Sequence, residues 1–225
     1  MTAVGGTSLA VGKGDKYLWE TGWGTTKATL SADGRSWTGF PGAFTSGAGG
    51  GTSRTVAQPY YQKGVVPNAL ARANSAQGNR VVPDIAAIAD PNTGFLVGQT
   101  QTFPDGAQRY SEYRIGGTSL AAPVIAGVQA LAQEANGGRA LGFANPAIYA
   151  RSGTKAYHDV TDRPTGRGLA VARVDYVNGH DAADGLTTSV RTLGNDSSLK
   201  AVKGYDDVTG VGSPAAGYVR SYRRR

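Results

Sequence analysis

Apolar residues recur at three- and four-residue intervals along Val124, Ile125, Val128 and Leu131. This spacing predicts a helix with a buried stripe that starts beside Ser119, runs to about Glu134 and closes at Asn136-Gly137-Gly138. The run Arg80 to Ala89 is apolar after Arg80 except at Pro83-Asp84, and continuous rather than alternating, which predicts one buried strand. Residues 1–12 read as a strand, and Tyr17 to Trp23 as a second after a Lys13-Gly14-Asp15 turn. Asp90-Pro91-Asn92-Thr93-Gly94 is a turn, Phe95 to Gly98 a further strand, and Asn145-Pro146-Ala147-Ile148-Tyr149 a short helix. Residues 40–55 are nearly all small and predict a flexible or tightly turning loop; no Gly-Lys-Ser/Thr follows, so it does not cradle phosphate. Residues 162–200 are polar with weak periodicity and predict a long surface excursion. Tyr205 to Pro214 is turn-dense and compact.

Composition narrows the class. With 225 residues, 40% hydrophobic and 17% charged, the chain is globular and can form one domain or part of a larger one. The 34 glycines imply many tight turns, and zero cysteines exclude disulfides, thiolate metal sites and a cysteine nucleophile. No apolar run is long enough to cross a membrane. Met1 leads straight into a strand-like segment without a signal-peptide layout, so the chain is expected to lack the front of its domain. The net charge of +7 is concentrated partly in Arg220 to Arg225, a solvated basic tail over 215–225. Lysines and arginines elsewhere are scattered without a recognition pattern, which speaks against nucleic acid as a partner.

The pentapeptide Gly-Gly-Thr-Ser-Leu occurs at 5–9 and again at 116–120. Ser119 in the second copy precedes the predicted helix, beside its free N–H groups and positive dipole end, as suits an acyl-transfer nucleophile. Ser8 in the first copy continues into strand and turn and reads as structural. A serine needs a proton acceptor, and neither histidine, His158 nor His180, sits in a recognisable triad motif. Glu20, Glu112 and Glu134 are the only glutamates, and each meets glycine four residues on, so no Glu-x-x-x-Asp pair exists. Glu112 reads as solvent-facing, and Asp84 and Asp90 as structural acids beside a buried strand.

Ile115-Gly116-Gly117-Thr118-Ser119-Leu120-Ala121-Ala122-Pro123 resembles the nucleophile motif of the sedolisins, the serine-carboxyl peptidases. Val4 to Leu9, Glu20-Thr21-Gly22-Trp23, Ser46 to Ser53, Val82 to Ala86, Ala89-Asp90-Pro91, Tyr157 to Val160 and Gly204 to Gly212 resemble further segments of that family in the same order. The resemblance covers nearly the whole chain except 162–200. It implies an α/β subtilisin-like three-layer fold around a central, mostly parallel sheet whose N-terminal part is missing. It implies an extracellular, acid-acting serine endopeptidase with a protein or peptide substrate. The family's base is a glutamate oriented by an aspartate, with a second aspartate at the oxyanion site. All three would lie upstream of Val4, on a missing segment or upstream chain, leaving this chain inactive alone.

The resemblance also implies one calcium ion at the end formed by 201–214. Its ligands would be Asp159, the carbonyl of Val160, Gly204 and Asp206, with Val202 standing where the family has glycine. The interval from Asp159 to Asp206 exceeds the family's usual one, so 162–200 is a surface insertion. Asp181-Ala182-Ala183-Asp184-Gly185 lacks the pattern of a helix-loop-helix calcium loop and reads as an ordinary acidic turn. Two other readings stay open: a non-catalytic, calcium-stabilised remnant or binding module, and a subtilisin relative with a histidine base. Leu120 and Val124 count against the latter.

Overall fold

A computed structural model describes residues 1–178 and 182–223. His180, Asp181 and the last two arginines lie outside the described residues. The first half comprises β1 (Val4–Val11), β2 (Tyr17–Gly22), β3 (Gly24–Leu30), β4 (Trp37–Gly47), β5 (Gly51–Ala57), a 3-10 turn at Tyr60–Gln62, α1 (Asn68–Ala71), β6 (Asn79–Val82) and β7 (Ile85–Ile88). Then follow β8 (Phe95–Thr102), β9 (Gln108–Ile115), α2 (Thr118–Ala135), α3 (Asn145–Tyr149), β10 (Tyr157–His158), β11 (Leu169–Tyr176), β12 (Leu186–Leu193), β13 (Ser213–Pro214) and α4 (Gly217–Arg220).

The site is built on a three-stranded sheet ordered β2-β1-β7. β1 runs parallel to β7, from Val4 opposite Ile85 to Thr7 opposite Ile88, and antiparallel to β2. Ile85 to Ala89 are buried throughout, which is why this stretch reads as an unbroken apolar run. The predicted single strand 80–89 is two strands, because Pro83 has no N–H for a ladder and Asp84 turns its side chain into the core. α2 packs on β1 and β7 through Ala121, Ile125 and Ala132, with Val124 and Val128 partly buried beside them. The stripe is narrower than its spacing predicts: Leu131 is 53% exposed.

Two segments are more ordered than expected. Residues 37–57 are strands, not a loop: β4 pairs with β3, and β5 with β6. The 162–200 excursion carries the hairpin β11–β12, whose second strand adds to β3, giving the antiparallel sheet β11-β12-β3-β4. The basic tail is only partly solvated. Arg220 and Arg223 are exposed, yet Tyr218 and Tyr222 are buried, and the Arg151 guanidinium lies 3.6 Å from the Tyr222 ring centroid.

Candidate active site

Ser119 is the second residue of α2 and is exposed. The loop before it is fixed by glycines with separate roles. Gly116 passes so close to the Ala89 carbonyl and Pro91 that a Cβ would strike both. Gly117, the residue before the helix, has φ 94° and ψ 158°, a region that side chains exclude. Its N–H donates to the Ala89 carbonyl across 2.5 Å, fastening the loop to the end of β7. The Leu120 and Ala121 N–H groups turn back to the Gly117 carbonyl, while among the described residues those of Thr118 and Ser119 keep no protein acceptor. Free first-turn donors at a helix N-terminus suit a developing oxyanion.

Among the described residues, no imidazole or carboxylate bonds to the Ser119 hydroxyl. His158 on β10 instead stacks on Tyr17, ring centroids 3.8 Å apart, and burial pushes its pKa down. Glu112 is exposed on β9, accepting from the Tyr110 hydroxyl. Asp84 and Asp90 are structural, as expected. Asp84, fully buried, accepts from the Ala3 N–H, both terminal nitrogens of Arg80 and the Tyr149 hydroxyl. Asp90, also fully buried, accepts from the Ser8 and Thr25 hydroxyls, so Ser8 is spent on structure.

Glu20 was not singled out by its sequence, and the structure buries it without a basic partner among the described residues. It is buried on β2, where one oxygen accepts the Thr7 hydroxyl and the other the Ser213 hydroxyl. It lines a cavity of about 300 Å³ walled by Leu9, Ile88, Val124, Ile125 and Val128. A single glutamate between Trp19 and Thr21 carries no local signal of burial.

Around the expected calcium end, Asp159 is exposed and accepts the Gly204 N–H at 3.0 and 3.2 Å on its two oxygens. Asp206 is buried and accepts from the Val202, Val208 and Thr209 N–H groups at 3.1, 2.9 and 2.7 Å. Burial drives its pKa up to about 6 against those donors. Val160 is buried beside Asp159, and Val202 is 51% exposed. The structure thus brings Asp159 to Gly204, and Asp206 to Val202. Among the described residues no three acidic, histidine or cysteine side chains gather at one point. A cation here would draw on two carboxylates, backbone carbonyls and water, an all-oxygen set that fits a hard ion. The rival acidic turn is described only from Ala182 onward.

The comparisons with known proteins agree with this layout. The subtilase family profile matches residues 3–147. Sedolisin of Pseudomonas sp. (strain 101) is 32% identical over 171 residues, 74% of this chain and 24% of that protein. Kumamolisin of Bacillus sp. (strain MN-32) is 35% identical over 119 residues, 51% of this chain and 18% of that protein. A tripeptidyl-peptidase of Arthroderma benhamiae is 31% identical over 186 residues, 77% of this chain and 26% of that protein. The solved structure of Pseudomonas sedolisin, complexed with two molecules of pseudo-iodotyrostatin, superposes with a TM-score of 0.57 at 27% identity. It covers 99% of this chain and 45% of the sedolisin chain. The chain therefore spans about a quarter of the length of these relatives. On its matched residues and its fold, the chain belongs to the subtilase family, with the sedolisins as its relatives.

Proposed function

We propose that the chain is the nucleophile-bearing part of an acid-acting serine endopeptidase that cleaves proteins or peptides outside the cell. The observation that carries this is Ser119, exposed at the start of α2 on a glycine turn bonded to β7. Its hydroxyl oxygen would attack the peptide carbonyl carbon, and the tetrahedral oxyanion would meet the Ser119 N–H. The hydroxyl proton would pass to a carboxylate, then to the leaving amine, before water hydrolyses the acyl-enzyme. None of the described carboxylates reaches Ser119, so an upstream segment or chain bearing the Glu/Asp pair and the oxyanion aspartate is the proposed partner. Chemistry by this chain alone is not expected.

Asp159 and Asp206, with the carbonyls of Val160, Val202 and Gly204, would hold one calcium ion. The ion supplies cross-linking of the terminal loop, not chemistry.

Two measurements test this reading. The coding sequence upstream of Met1 should contain, in frame or in an adjacent gene, a Glu-x-x-x-Asp segment. The protein assembled with that segment should cleave denatured protein in acid, and Ser119→Ala should abolish the cleavage. Products spread over many lengths mark endopeptidase action; a ladder of tripeptides marks the action named for the Arthroderma relative. The bare Ser119 hydroxyl also favours a second reading, a non-catalytic module, which holds if no such upstream segment exists.

A further inference from the structure

Glu20 joins the β1–β2 ribbon to a segment 193 residues further along the chain. It sits on β2, one carboxyl oxygen takes the Thr7 hydroxyl of β1, and the other takes the Ser213 hydroxyl of β13. All three residues are buried. β13 pairs with β10, His158 opposite Ser213, and β10 leads directly into Asp159. The carboxyl is therefore the polar fastening between the β1–β2 ribbon and the terminal segment.

No cation faces it. The titratable groups around its cavity are Tyr17 on β2, Asp15 in the β1–β2 turn and His158 on β10. β7, α2 and β13 contribute only Ala87, Ile88, Val124, Ile125, Val128, Ser213 and Pro214. Among the described residues lining this cavity, His158 is the one cationisable group, and burial favours its neutral form. An ionised Glu20 would have two neutral hydroxyl donors, which bond more strongly to a charge than to a neutral carboxyl. Burying an unpaired carboxylate costs several kcal/mol. Protonated, the same group keeps both hydroxyls as neutral hydrogen-bond partners and avoids that cost.

We propose that Glu20 is an acid-set latch: protonated, it holds the terminal segment to the β1–β2 ribbon without burying a charge, and on ionisation the cost of the buried charge opens this joint to water. Burial raises the Glu20 pKa, outweighing the two hydroxyls that lower it. The sign follows. The unfolded chain releases this proton near pH 4.3 and the folded chain at higher pH, so the clamp's contribution is full in acid and declines as pH rises. The latch is independent of the peptidase reading, since Glu20 bonds to neither Ser119 nor the proposed calcium ligands.

The test is thermal unfolding of the 225-residue chain from pH 4 to pH 8, for wild type, Glu20→Gln and Ser213→Ala. Glutamine keeps the shape and cannot ionise. Its melting temperature should gain on wild type as pH rises, the gap growing by at least about 3 °C across the range. Hydrogen exchange at residues 213–215, corrected for intrinsic rate, should speed up above neutral pH in wild type and not in Glu20→Gln. Ser213→Ala removes a donor that favours the anion, so the wild-type decline should move to higher pH. Parallel pH profiles for wild type and Glu20→Gln would overturn the proposal. If Glu20→Gln does not fold, a Ser213→Ala decline unmoved or moved to lower pH would overturn it.

Discussion

The N–H of Gly117 donates to the carbonyl of Ala89 across 2.5 Å, so the loop that bears Ser119, the proposed nucleophile, is fastened to the end of the buried strand β7. Ser119 is placed by this bond and by the glycine conformation before the helix, not by contacts of its own side chain.

Gly117→Ala should therefore be costly although no neighbour blocks the added methyl, the nearest atom being the Ser119 nitrogen at 3.8 Å. The cost is conformational, about 1–3 kcal/mol for a side chain forced into that backbone region. Urea unfolding measures it. Acid proteolysis by the assembled protein should fall further than stability explains, because the loop relaxes away from Ala89.

Asp84 and Asp105 provide a paired contrast. Both meet an arginine four residues away, but Asp84 is fully buried and Asp105 is exposed. Asp84→Ala strands the Arg80 guanidinium and leaves the Ala3 N–H and Tyr149 hydroxyl short of an acceptor, and should cost about 3–5 kcal/mol. Asp105→Ala should leave the unfolding midpoint close to that of wild type. Equal losses in urea unfolding would contradict the burial assigned to Asp84.

Asp206 and Asp162 give stability a second acid-favouring component. Burial raises each to about pKa 6, above the ordinary aspartate value of 3.8. Between those values the folded chain holds protons that the unfolded chain has lost. Stability is thus full below about pH 4 and declines through pH 6, by up to about 1.4 kcal/mol per pH unit and per group, less for the half-exposed Asp162. Calcium should offset the decline by favouring ionised Asp206, raising the melting temperature more at pH 7 than at pH 4. Asp206→Asn should remove that calcium response, which a melting series with and without chelator reads directly.

Local signals made the core and the glycine turn that bears Ser119 legible in the sequence. The apolar run at 85–89 and the glycine pair before an apolar helical stripe survive in the structure because each depends on near neighbours. The hairpin of β11 and β12 was hidden for a physical reason. Along β11 the more buried positions are Leu169, Val171, Arg173 and Asp175, while Val174 and Tyr176 face solvent. Its inward charges are satisfied across the sheet, Asp175 pairing with Arg191 and Lys27 and accepting the Ser189 hydroxyl, so alternation in burial is not alternation in hydropathy. β4 was missed because it is mostly exposed and small-residued, held to β3 by backbone pairing. Glu20 depends on residues 7 and 213, which no local pattern connects.

Ser119 carries the functional reading, and one measurement bears on it most directly: acid proteolysis by the protein assembled with its upstream acidic segment, compared with the same assembly carrying Ser119→Ala. The substitution is at an exposed position, so folding stability should be unchanged within about 0.5 kcal/mol. Cleavage should fall to background, and the transient acyl-enzyme, caught by a rapid denaturing quench, should form at residue 119 in wild type alone. Undiminished cleavage by the alanine variant would show that Ser119 is not the nucleophile.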